Sequence, residues 1–349
     1  MALRPLLWCL LISSSLAANS VNREIASAAR PDAQTFLQGR FKWQSSGPLL
    51  TPAARSEDPC HAIKDPSVVR YEGRWHVFCT IRSQKRSHQI EYLSFEDWSR
   101  TQGAKREILK LTDGYFCAPQ VFYFSPHRKW YLVYQVSEPS RKPALQPAFS
   151  TTADLGDPYS WTQPTLLFAR HPENIKQWID FWIICDERKA HLFFTSLDGC
   201  MWRSETALAQ FPRGWDAPRV ALRGDVYEAS HTYLLRKLGR YLTLIEAQDR
   251  GRRYYKAYLA ERLDGAWEEL AGTRKKPFVA PESVTFEAEK WTDSFSHGEL
   301  LRAGYDERLE VDPAQLRFLF QGVADQDRIG KKYGEIPWRL GLLTAEAGP

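Results

Sequence analysis

The chain repeats a unit in which an apolar strand, a polar turn and a second strand rich in aromatic residues follow one another. In the first unit, residues 67–71 are followed by a turn at 72–74 and by a second strand at 75–78. Short β-branched and aromatic runs bounded by polar turns predict antiparallel strand pairs. The later units are 120–124 with 130–134, 181–185 with 191–194, 232–235 with 241–245, and 298–302 with 316–320.

These units begin roughly 50 to 70 residues apart, the spacing expected when each one is a small antiparallel sheet of a β-propeller. Five units predict an all-β, five-bladed β-propeller. A large β-sandwich is the alternative, because hairpins alone do not distinguish the two architectures. Propellers close their ring by pairing the two ends of the chain, and residues 338–343 are the candidate closing strand.

The N-terminus has the layout of a secretory signal peptide. Arg4 precedes an apolar run at 6–12 and a stretch of mostly small residues at 13–18. No later segment approaches the roughly 20 consecutive apolar residues that a membrane helix needs. We therefore expect a secreted, extracellular protein. Its expected parts are a signal peptide at 1–18, an N-terminal leader at 19–40 and a single propeller domain at 41–349.

Composition narrows the functional classes. The formal net charge is only +5 over 349 residues, and no basic cluster with interleaved aromatics indicates a nucleic-acid partner. A monomer is the default expectation. Removal of the signal peptide would leave an odd number of cysteines, whose wide spacing favours buried thiols, with or without one disulfide, over a zinc site. They are Cys60, Cys79, Cys117, Cys185 and Cys200.

Carboxylates stand at the entry to the first strand of three units. The innermost strand of each blade lines the channel of a propeller, so Asp65, Asp180 and Glu228 are predicted to meet at one mouth of that channel. Burial and like-charge proximity would split their pKa values and leave one acid protonated and the others ionised, as glycosidic hydrolysis requires. Each acid alone is more typical of a turn or a solvated strand end. The prediction depends on their matched placement in separate units.

Several segments in a fixed order resemble the α-L-arabinofuranosidases of glycoside hydrolase family 62. Among them are Lys64-Asp65-Pro66, Ala118-Pro119-Gln120 and Ser296-His297-Gly298. The matching segments are 41–43 with 46–49, 64–69, 116–122, 178–186, 227–229, 296–299 and 336–344. The resemblance implies a single-domain five-bladed propeller that removes arabinofuranose side chains from arabinoxylan or arabinan with inversion of configuration.

The resemblance also implies roles for the three acids. Asp65 would be the general base that activates water, and Glu228 the general acid that protonates the departing oxygen. Asp180 would tune the pKa of Glu228 and help to orient the sugar. An inverting pair of carboxyl groups stands roughly 6.5 to 9.5 Å apart, which leaves room for the attacking water.

Substrate-binding and metal-binding residues follow from the same resemblance. Lys64 would bind sugar hydroxyls, Tyr333 would stand at the edge of the substrate groove, and Arg339 is a further candidate for the pocket. A family calcium ion would be bound in the channel by His297 and otherwise largely by waters. Calcium prefers oxygen ligands, so this ion would support structure more than chemistry. On the residues alone, His297 is more typical of a hydrogen-bonded structural residue than of a metal ligand.

Two positions depart from the family pattern. Val136-Ser137 stand where many members carry Trp-Gly, and a basic, Pro-containing insert through 141–143 follows them. Gly334 stands where a polar amide side chain is common. Both departures fall near the expected glycan cleft. We therefore expect the arabinose pocket to persist while contacts to the polymer backbone differ.

Two alternatives to an arabinofuranosidase remain open at this point. A related five-bladed glycosidase of the β-xylosidase or arabinanase type would keep the three acids and change the pocket walls. A non-catalytic sugar-binding propeller would bind glycans through Trp and Tyr without cleaving them. Asp65 and Glu228 argue against the second alternative, because a pure binding site has no need for two positioned carboxylates of split ionisation.

Overall fold

The structure, a computed structural model, describes residues 33–346. Its regular structure is almost entirely β-strand, as the pattern of apolar runs and polar turns predicts. The strands are β1 (Trp43–Ser45), β2 (Cys60–Tyr71), β3 (Arg74–Ser83), β4 (Ser87–Phe95), β5 (Arg106–Ile108), β6 (Phe116–Phe124), β7 (Lys129–Ser137), β8 (Leu145–Thr152), β9 (Thr165–Leu166), β10 (Ile179–Cys185), β11 (Lys189–Thr195), β12 (Cys200–Ala207), β13 (Arg219–Arg223), β14 (Glu228–Leu235), β15 (Arg240–Asp249), β16 (Arg252–Ala260), β17 (Glu268–Thr273), β18 (Lys276–Pro277), β19 (Val284–Phe286), β20 (Ser294–Leu300), β21 (Arg317–Val323) and β22 (Arg339–Ala345). The helices are α1 (Ala33–Leu37), α2 (Asp325–Arg328) and the short 3₁₀ segments Trp98–Gly103, Ser125–His127, Arg236–Leu238, Pro281–Ser283 and Tyr333–Glu335. None of the helices in this part of the chain is long and apolar enough to span a bilayer.

Within residues 33–346, five sheets form the blades of a propeller. The blades are I (β2-β3-β4-β5), II (β6-β7-β8-β9), III (β10-β11-β12-β13), IV (β14-β15-β16-β17-β18) and V (β20-β21-β22-β1-β19). Strands β2, β6, β10, β14 and β20 contact one another in a ring and therefore line the channel. The predicted five-bladed propeller is confirmed, and the β-sandwich is excluded.

Strands from opposite ends of the described chain close the ring together in blade V. Strand β1 pairs antiparallel with β22, where Trp43 lies opposite Ala345, and parallel with β19. The Trp43 indole is fully buried and donates a hydrogen bond to the carbonyl of Phe278 at 2.7 Å. Residues 339–343 of the predicted closing strand lie in β22, so that prediction is confirmed.

The described part of the predicted leader packs against the propeller. Phe36 in α1 is only 2% exposed, and its ring meets that of Phe41 edge-on at 5.5 Å. Phe36 therefore belongs to the packed core although it lies within the predicted leader. The predicted signal peptide, residues 1–18, and residues 19–32 of the leader lie outside the described residues.

Large aromatic side chains fill the space between neighbouring blades. Trp178, Phe181 and Trp182 at the inner edge of blade III are almost completely buried. The indole of Trp182 donates to the carbonyl of Thr232 in blade IV at 2.8 Å, so its polar edge is satisfied. The cysteines of the described residues are all free thiols, so packing rather than disulfide bonding holds this part of the chain together.

Each innermost strand contains a β-bulge at the same point. In β2 the bulge lies between Lys64 and Ser67, and β6, β10, β14 and β20 are irregular at the equivalent place. Four of these strands hold a non-glycine residue in the left-handed region there: Asp65 (φ 47°), Ala118 (φ 52°), Asp180 (φ 58°) and Ala229 (φ 53°). Such a conformation costs roughly 1 to 2 kcal/mol per residue, and bulges re-aim side chains. The bulges thus set the direction of two of the predicted site acids.

A side chain of the preceding blade binds the backbone N–H at each bulge. Four of these acceptors lie at equivalent positions of the second strand of their blades. The bonds are Ala118 N–H to Thr80 Oγ1 (2.9 Å), Asp180 N–H to Gln135 Oε1 (3.5 Å), His297 N–H to Glu246 Oε2 (2.7 Å) and Asp65 N–H to Gln321 Oε1 (2.7 Å). In blade III the equivalent residue is Thr195, whose hydroxyl has no hydrogen bond, and Asp180 Oδ2 accepts from the Ala229 N–H at 3.1 Å instead. Every blade is therefore bonded to the next one around the channel.

Replacement of Gln120 by leucine tests these inter-blade bonds. Gln120 is fully buried, donates to the Ile183 carbonyl at 2.7 Å and accepts from the Ile183 N–H at 2.7 Å. Gln120→Leu leaves both backbone groups unpaired and is expected to lower the free energy of unfolding by about 2 to 4 kcal/mol. Gln44→Leu, at an exposed position of β1, should change it by less than about 0.5 kcal/mol. Urea unfolding followed by tryptophan fluorescence measures both, and equal effects would contradict this account.

Candidate active site

Asp65 and Lys64 lie side by side at the bulge of β2. Lys64 Nζ is 3.7 Å from Asp65 Oδ2 and donates to the hydroxyl of Tyr333 at 3.0 Å. Asp65 is 5% exposed. Burial raises the pKa of Asp65, but Lys64, His297 and the Thr80 hydroxyl together outweigh burial, and the pKa lies below its ordinary value. Asp65 is therefore held as a carboxylate.

His297 links Asp65 to Asp180. Its Nδ1 is 3.5 Å from Asp65 Oδ1 and 3.9 Å from Asp180 Oδ1, distances longer than those of ordinary hydrogen bonds. Asp180 is buried beside them. Burial raises the pKa of Asp180, and the negative charge of Asp65 adds to this, although His297 and the Ala229 N–H oppose it. The pKa values of the two aspartates are thus shifted in opposite directions, although both carboxyl groups lie beside the same imidazole.

Glu228 precedes the bulge of β14, and its Oε1 accepts a hydrogen bond from Arg253. Arg253 Nη1 is 3.1 Å from Glu228 Oε1 and also 3.1 Å from Glu246 Oε1. Burial raises the pKa of Glu228 well above its ordinary value, and the negative charges of Glu246 and Asp180 add to it, while nearby cations only partly counter them. Glu228 is therefore favoured as an uncharged carboxylic acid under conditions in which Asp65 is ionised.

Glu246 and Arg253 are site residues that sequence reasoning missed. Glu246 is fully buried and lies directly opposite Glu228 in the register of β14 and β15. Its carboxylate accepts from the His297 N–H at 2.7 Å. One signal was present in the sequence, since a glutamate follows the apolar run 241–245 and a buried charge requires partners. Arg253 gives no comparable signal, because its role appears only when β16 is placed beside β15.

The predicted substrate-binding residues occupy two places. Lys64 and Tyr333 contact each other beside Asp65, and Tyr333 is 52% exposed. The Arg339 guanidinium lies 3.6 Å from Asp327 Oδ2, donates to the Trp291 carbonyl at 3.4 Å and covers the Trp291 ring. In the described part of the chain, Arg339 contacts none of the three acids. A role for Arg339 in the pocket stays a prediction.

The two departures from the family pattern have distinct structural settings. A Cβ added at Gly334 would lie 2.3 Å from Arg82 Cζ, so glycine leaves the space that this guanidinium occupies. Val136 is 7% exposed and packs in an apolar cluster that blades I and II share. Arg141, in the insert that follows, donates to the carbonyl of Phe168 at 2.9 Å. The insert is therefore anchored to the loop that leads into blade III.

The residues around His297 limit what kind of metal site is possible. Within residues 33–346, no three His, Cys, Asp or Glu side chains converge as a metal site. His297 offers one imidazole beside the negative charges of Asp65 and Asp180. This setting fits a cation held largely by water and does not fit one ligated fully by protein oxygens. The binding of calcium by His297 stays a prediction.

A groove lies elsewhere on the surface. It has a volume of about 660 Å³ and is lined by residues 39–42, 274–277 and 282–283, among which none of the predicted site residues occurs. This groove is therefore separate from the candidate site. Carboxyl groups with opposite pKa shifts mark that site, because perturbed pKa values concentrate at functional sites.

The site combines a carboxyl group of lowered pKa, that of Asp65, with one of raised pKa, that of Glu228, on one ring of strands. Hydrolysis of a glycosidic bond requires one group that takes a proton and one that gives a proton. His297 lies between Asp65 and Asp180, and Asp180 accepts from the N–H of Ala229, the residue that follows Glu228. Fold and site together define a five-bladed glycoside hydrolase.

Comparison with known sequences gives the family. The sequence family described as glycosyl hydrolase family 62 matches residues 42–344. Alpha-L-arabinofuranosidase C of Cellvibrio japonicus is 36% identical over 320 residues, which are 90% of this chain and 48% of that protein. The chain belongs to glycosyl hydrolase family 62, as the motifs predicted. It spans about half the length of this curated relative.

Solved structures of the family agree over nearly the whole propeller. The catalytic domain of a family 62 alpha-L-arabinofuranosidase from Coprinopsis cinerea is 37% identical, with a TM-score of 0.82, and the match covers 88% of this chain and 98% of that one. The alpha-L-arabinofuranosidase of Podospora anserina in complex with cellotriose is 35% identical, with a TM-score of 0.82, covering 88% and 97%. The five-bladed fold is therefore shared with experimentally solved members.

Glu246→Gln tests the electrostatic coupling to Glu228. The substitution removes a negative charge beside Glu228 and leaves Arg253 to interact with Glu228 alone, so the pKa of Glu228 should fall. With Glu228 as the expected general acid, the alkaline limb of kcat/KM against pH should move down by about one pH unit. The acidic limb, which the expected base Asp65 would set, should stay.

Glu269→Gln is the matched control, because Glu269 is an exposed glutamate on the same blade. It should leave both limbs in place. An alkaline limb that does not move in Glu246→Gln would show that Glu246 does not govern the ionisation of Glu228.

Proposed function

We propose that this chain is an exo-acting, inverting α-L-arabinofuranosidase that removes arabinofuranose side chains from arabinoxylan or arabinan. The observation that carries the proposal is that the buried Asp65 and the Arg253-bonded Glu228, whose pKa values are shifted in opposite directions, stand in the motifs that match the family. The relatives named above, all alpha-L-arabinofuranosidases, support the same activity. The cellotriose complex adds that one relative binds a glucan chain.

In the proposed mechanism, Asp65 and Glu228 act on opposite sides of one bond. Asp65 takes a proton from water as the water oxygen attacks the anomeric carbon. The bond between that carbon and the glycosidic oxygen breaks, and this oxygen takes the proton of Glu228. Because water enters on the face opposite the departing chain, the configuration inverts. The expected separation of roughly 6.5 to 9.5 Å between the two carboxyl groups is part of this proposal.

The neighbouring residues would prepare the two acids and the sugar. Asp180 and Glu246 place negative charge near Glu228 and so help to keep it protonated, while Lys64 keeps Asp65 ionised. Lys64, Tyr333 and, in the pocket wall, Arg339 would bind sugar hydroxyls. These are positioning functions, because proton transfer itself needs only the base and the acid.

Two further expectations belong to the proposal. Residues 1–18 would direct export, so the enzyme would act outside the cell on plant polysaccharide as a monomer. A calcium ion, if bound through His297, would supply positive charge beside Asp65 and Asp180, and no step of the reaction is assigned to it.

The two alternatives predict different products. A β-xylosidase or arabinanase of the same fold would keep the three acids, yet it would release xylose or arabino-oligosaccharides rather than single arabinose units. A sugar-binding propeller would release nothing. The opposite pKa shifts of Asp65 and Glu228 disfavour the sugar-binding propeller. Burying ionisable groups costs free energy that a pure binding site has no need to spend.

Arabinose release from arabinoxylan and from branched arabinan tests the proposal. The wild type should release free arabinose, and Asp65→Ala and Glu228→Gln should each reduce the rate by at least about 100-fold, because each removes one proton-transfer group. Anion-exchange chromatography measures the sugar, and proton NMR of the first product should show the inverted anomer.

Glu289→Gln, an exposed glutamate on the surface, is the matched control and should keep full activity. No release from either polymer by folded wild type would overturn the proposal in favour of the sugar-binding propeller, and release of other sugars would favour the related glycosidases.

A further inference from the structure

Arg82 in β3 lies beside the proposed site, and its guanidinium packs against Gly334. A Cβ built at Gly334 would lie 2.3 Å from Arg82 Cζ and 2.4 Å from Nη2. Gly334 directly follows Tyr333, whose hydroxyl accepts from Lys64. Across the sheet, Arg82 stands opposite Ala62, two residues before Lys64. Both connections put Arg82 at the edge of the site and outside the carboxylate cluster.

The Arg82 guanidinium has no counter-charge among residues 33–346. Its Nε is buried without a hydrogen bond, and no carboxylate lies within 4.0 Å of the group. Arg86 on the same blade, by contrast, pairs with Asp58 at 2.6 Å, and Arg253 contacts two carboxylates. Burying part of a cation without a counter-charge costs free energy. The partly buried Arg82 is therefore suited to bind an anion from outside the chain.

The surroundings of Arg82 favour an anion. His88 stands opposite Arg82 in the β3–β4 pair, and burial, with Lys64 and Arg82 adding to it, lowers the pKa of His88 to about 4. His88 is therefore neutral at ordinary pH, and a histidine supplies no negative charge in either protonation state. Asp65 is already paired with Lys64. The positive charge of Arg82 thus remains uncompensated at this edge of the site.

We propose that Arg82 binds a carboxylate carried by the polysaccharide near the arabinosyl branch, and that Gly334 provides the space this requires. A guanidinium presents paired N–H donors that match the two oxygens of a carboxylate, whereas a sugar hydroxyl would leave the charge uncompensated. The inference rests on the proposed function and names its substrate class: arabinosyl-substituted chains that also bear uronic acid.

The test compares two ligands that differ only in the carboxylate. One is an arabinosylated xylo-oligosaccharide bearing glucuronic acid, and the other is the same molecule with its carboxyl group reduced to an alcohol. Glu228→Gln prevents turnover and leaves Arg82 in place. Calorimetric titration should show about fivefold tighter binding of the acidic ligand. The preference should nearly vanish in about 0.5 M NaCl, because salt screens partly exposed charges.

Three variants on this background separate Arg82 from general effects of charge. Arg82→Gln should abolish the preference and leave affinity for the reduced ligand unchanged. Arg86→Gln removes one positive charge from the same blade and should keep the preference. Gly334→Ala keeps every charge and displaces the guanidinium, so it should weaken the preference.

Two results would overturn the assignment to a polysaccharide carboxylate. One is equal affinity for the two oligosaccharides, or a preference that survives Arg82→Gln. The other is competition by free glucuronate as strong as that of the acidic oligosaccharide, which would indicate a general anion site.

Arabinose release from neutral arabinoxylan separates this inference from the proposed function. Release combined with equal affinity for both ligands would keep the activity and overturn the carboxylate site. No release, combined with Arg82-dependent binding of the acidic ligand, would overturn the activity and keep the carboxylate site.

Discussion

The propeller depends on satisfying one set of buried backbone N–H groups. Each innermost strand bulges, and a bulge removes a residue from the hydrogen-bond ladder of its own sheet. A buried N–H left without a partner would cost about 1 to 3 kcal/mol. Each blade has one N–H that its own sheet does not bind. Side chains of the preceding blade accept these bonds. Directed polar contacts therefore hold the blades in register, in addition to the apolar packing between them.

The same contacts generate the chemistry of the site. Glu246 binds the N–H of His297 and so joins blade IV to blade V, and its buried charge also raises the pKa of Glu228. Asp180 joins blade III to blade IV through Ala229 and has a raised pKa of its own. Structural bonding and acid–base function are thus properties of the same carboxylates. Replacing Glu246 or Asp180 would therefore change both the bonding between blades and the pKa values of the site.

The strand pairs, the five blades and the closing strand were predictable because they depend on local alternation of apolar runs and turns. The three acids were predictable because they recur at one point of a repeated unit. Arg253 was not, since it reaches Glu228 from the third strand of its blade. The contact between Arg82 and Gly334 joins positions that are far apart in the sequence, and no local pattern marks it. The sequence also led us to expect one protonated acid, whereas burial raises the pKa of Asp180 as well as that of Glu228.

Closure of the ring in blade V has a consequence for biosynthesis. Strand β1 leaves the ribosome long before β22, with which it pairs, because the other four blades lie between them in the sequence. Until then β1 has unpaired backbone on the side that β22 will cover, and the ring stays open. Contacts between such distant positions form slowly, because the entropy of closing a long loop is lost before the new contacts stabilise the structure. The order of translation therefore leaves the ring open until β22 has been made, and the incomplete ring is the state that chaperones would meet.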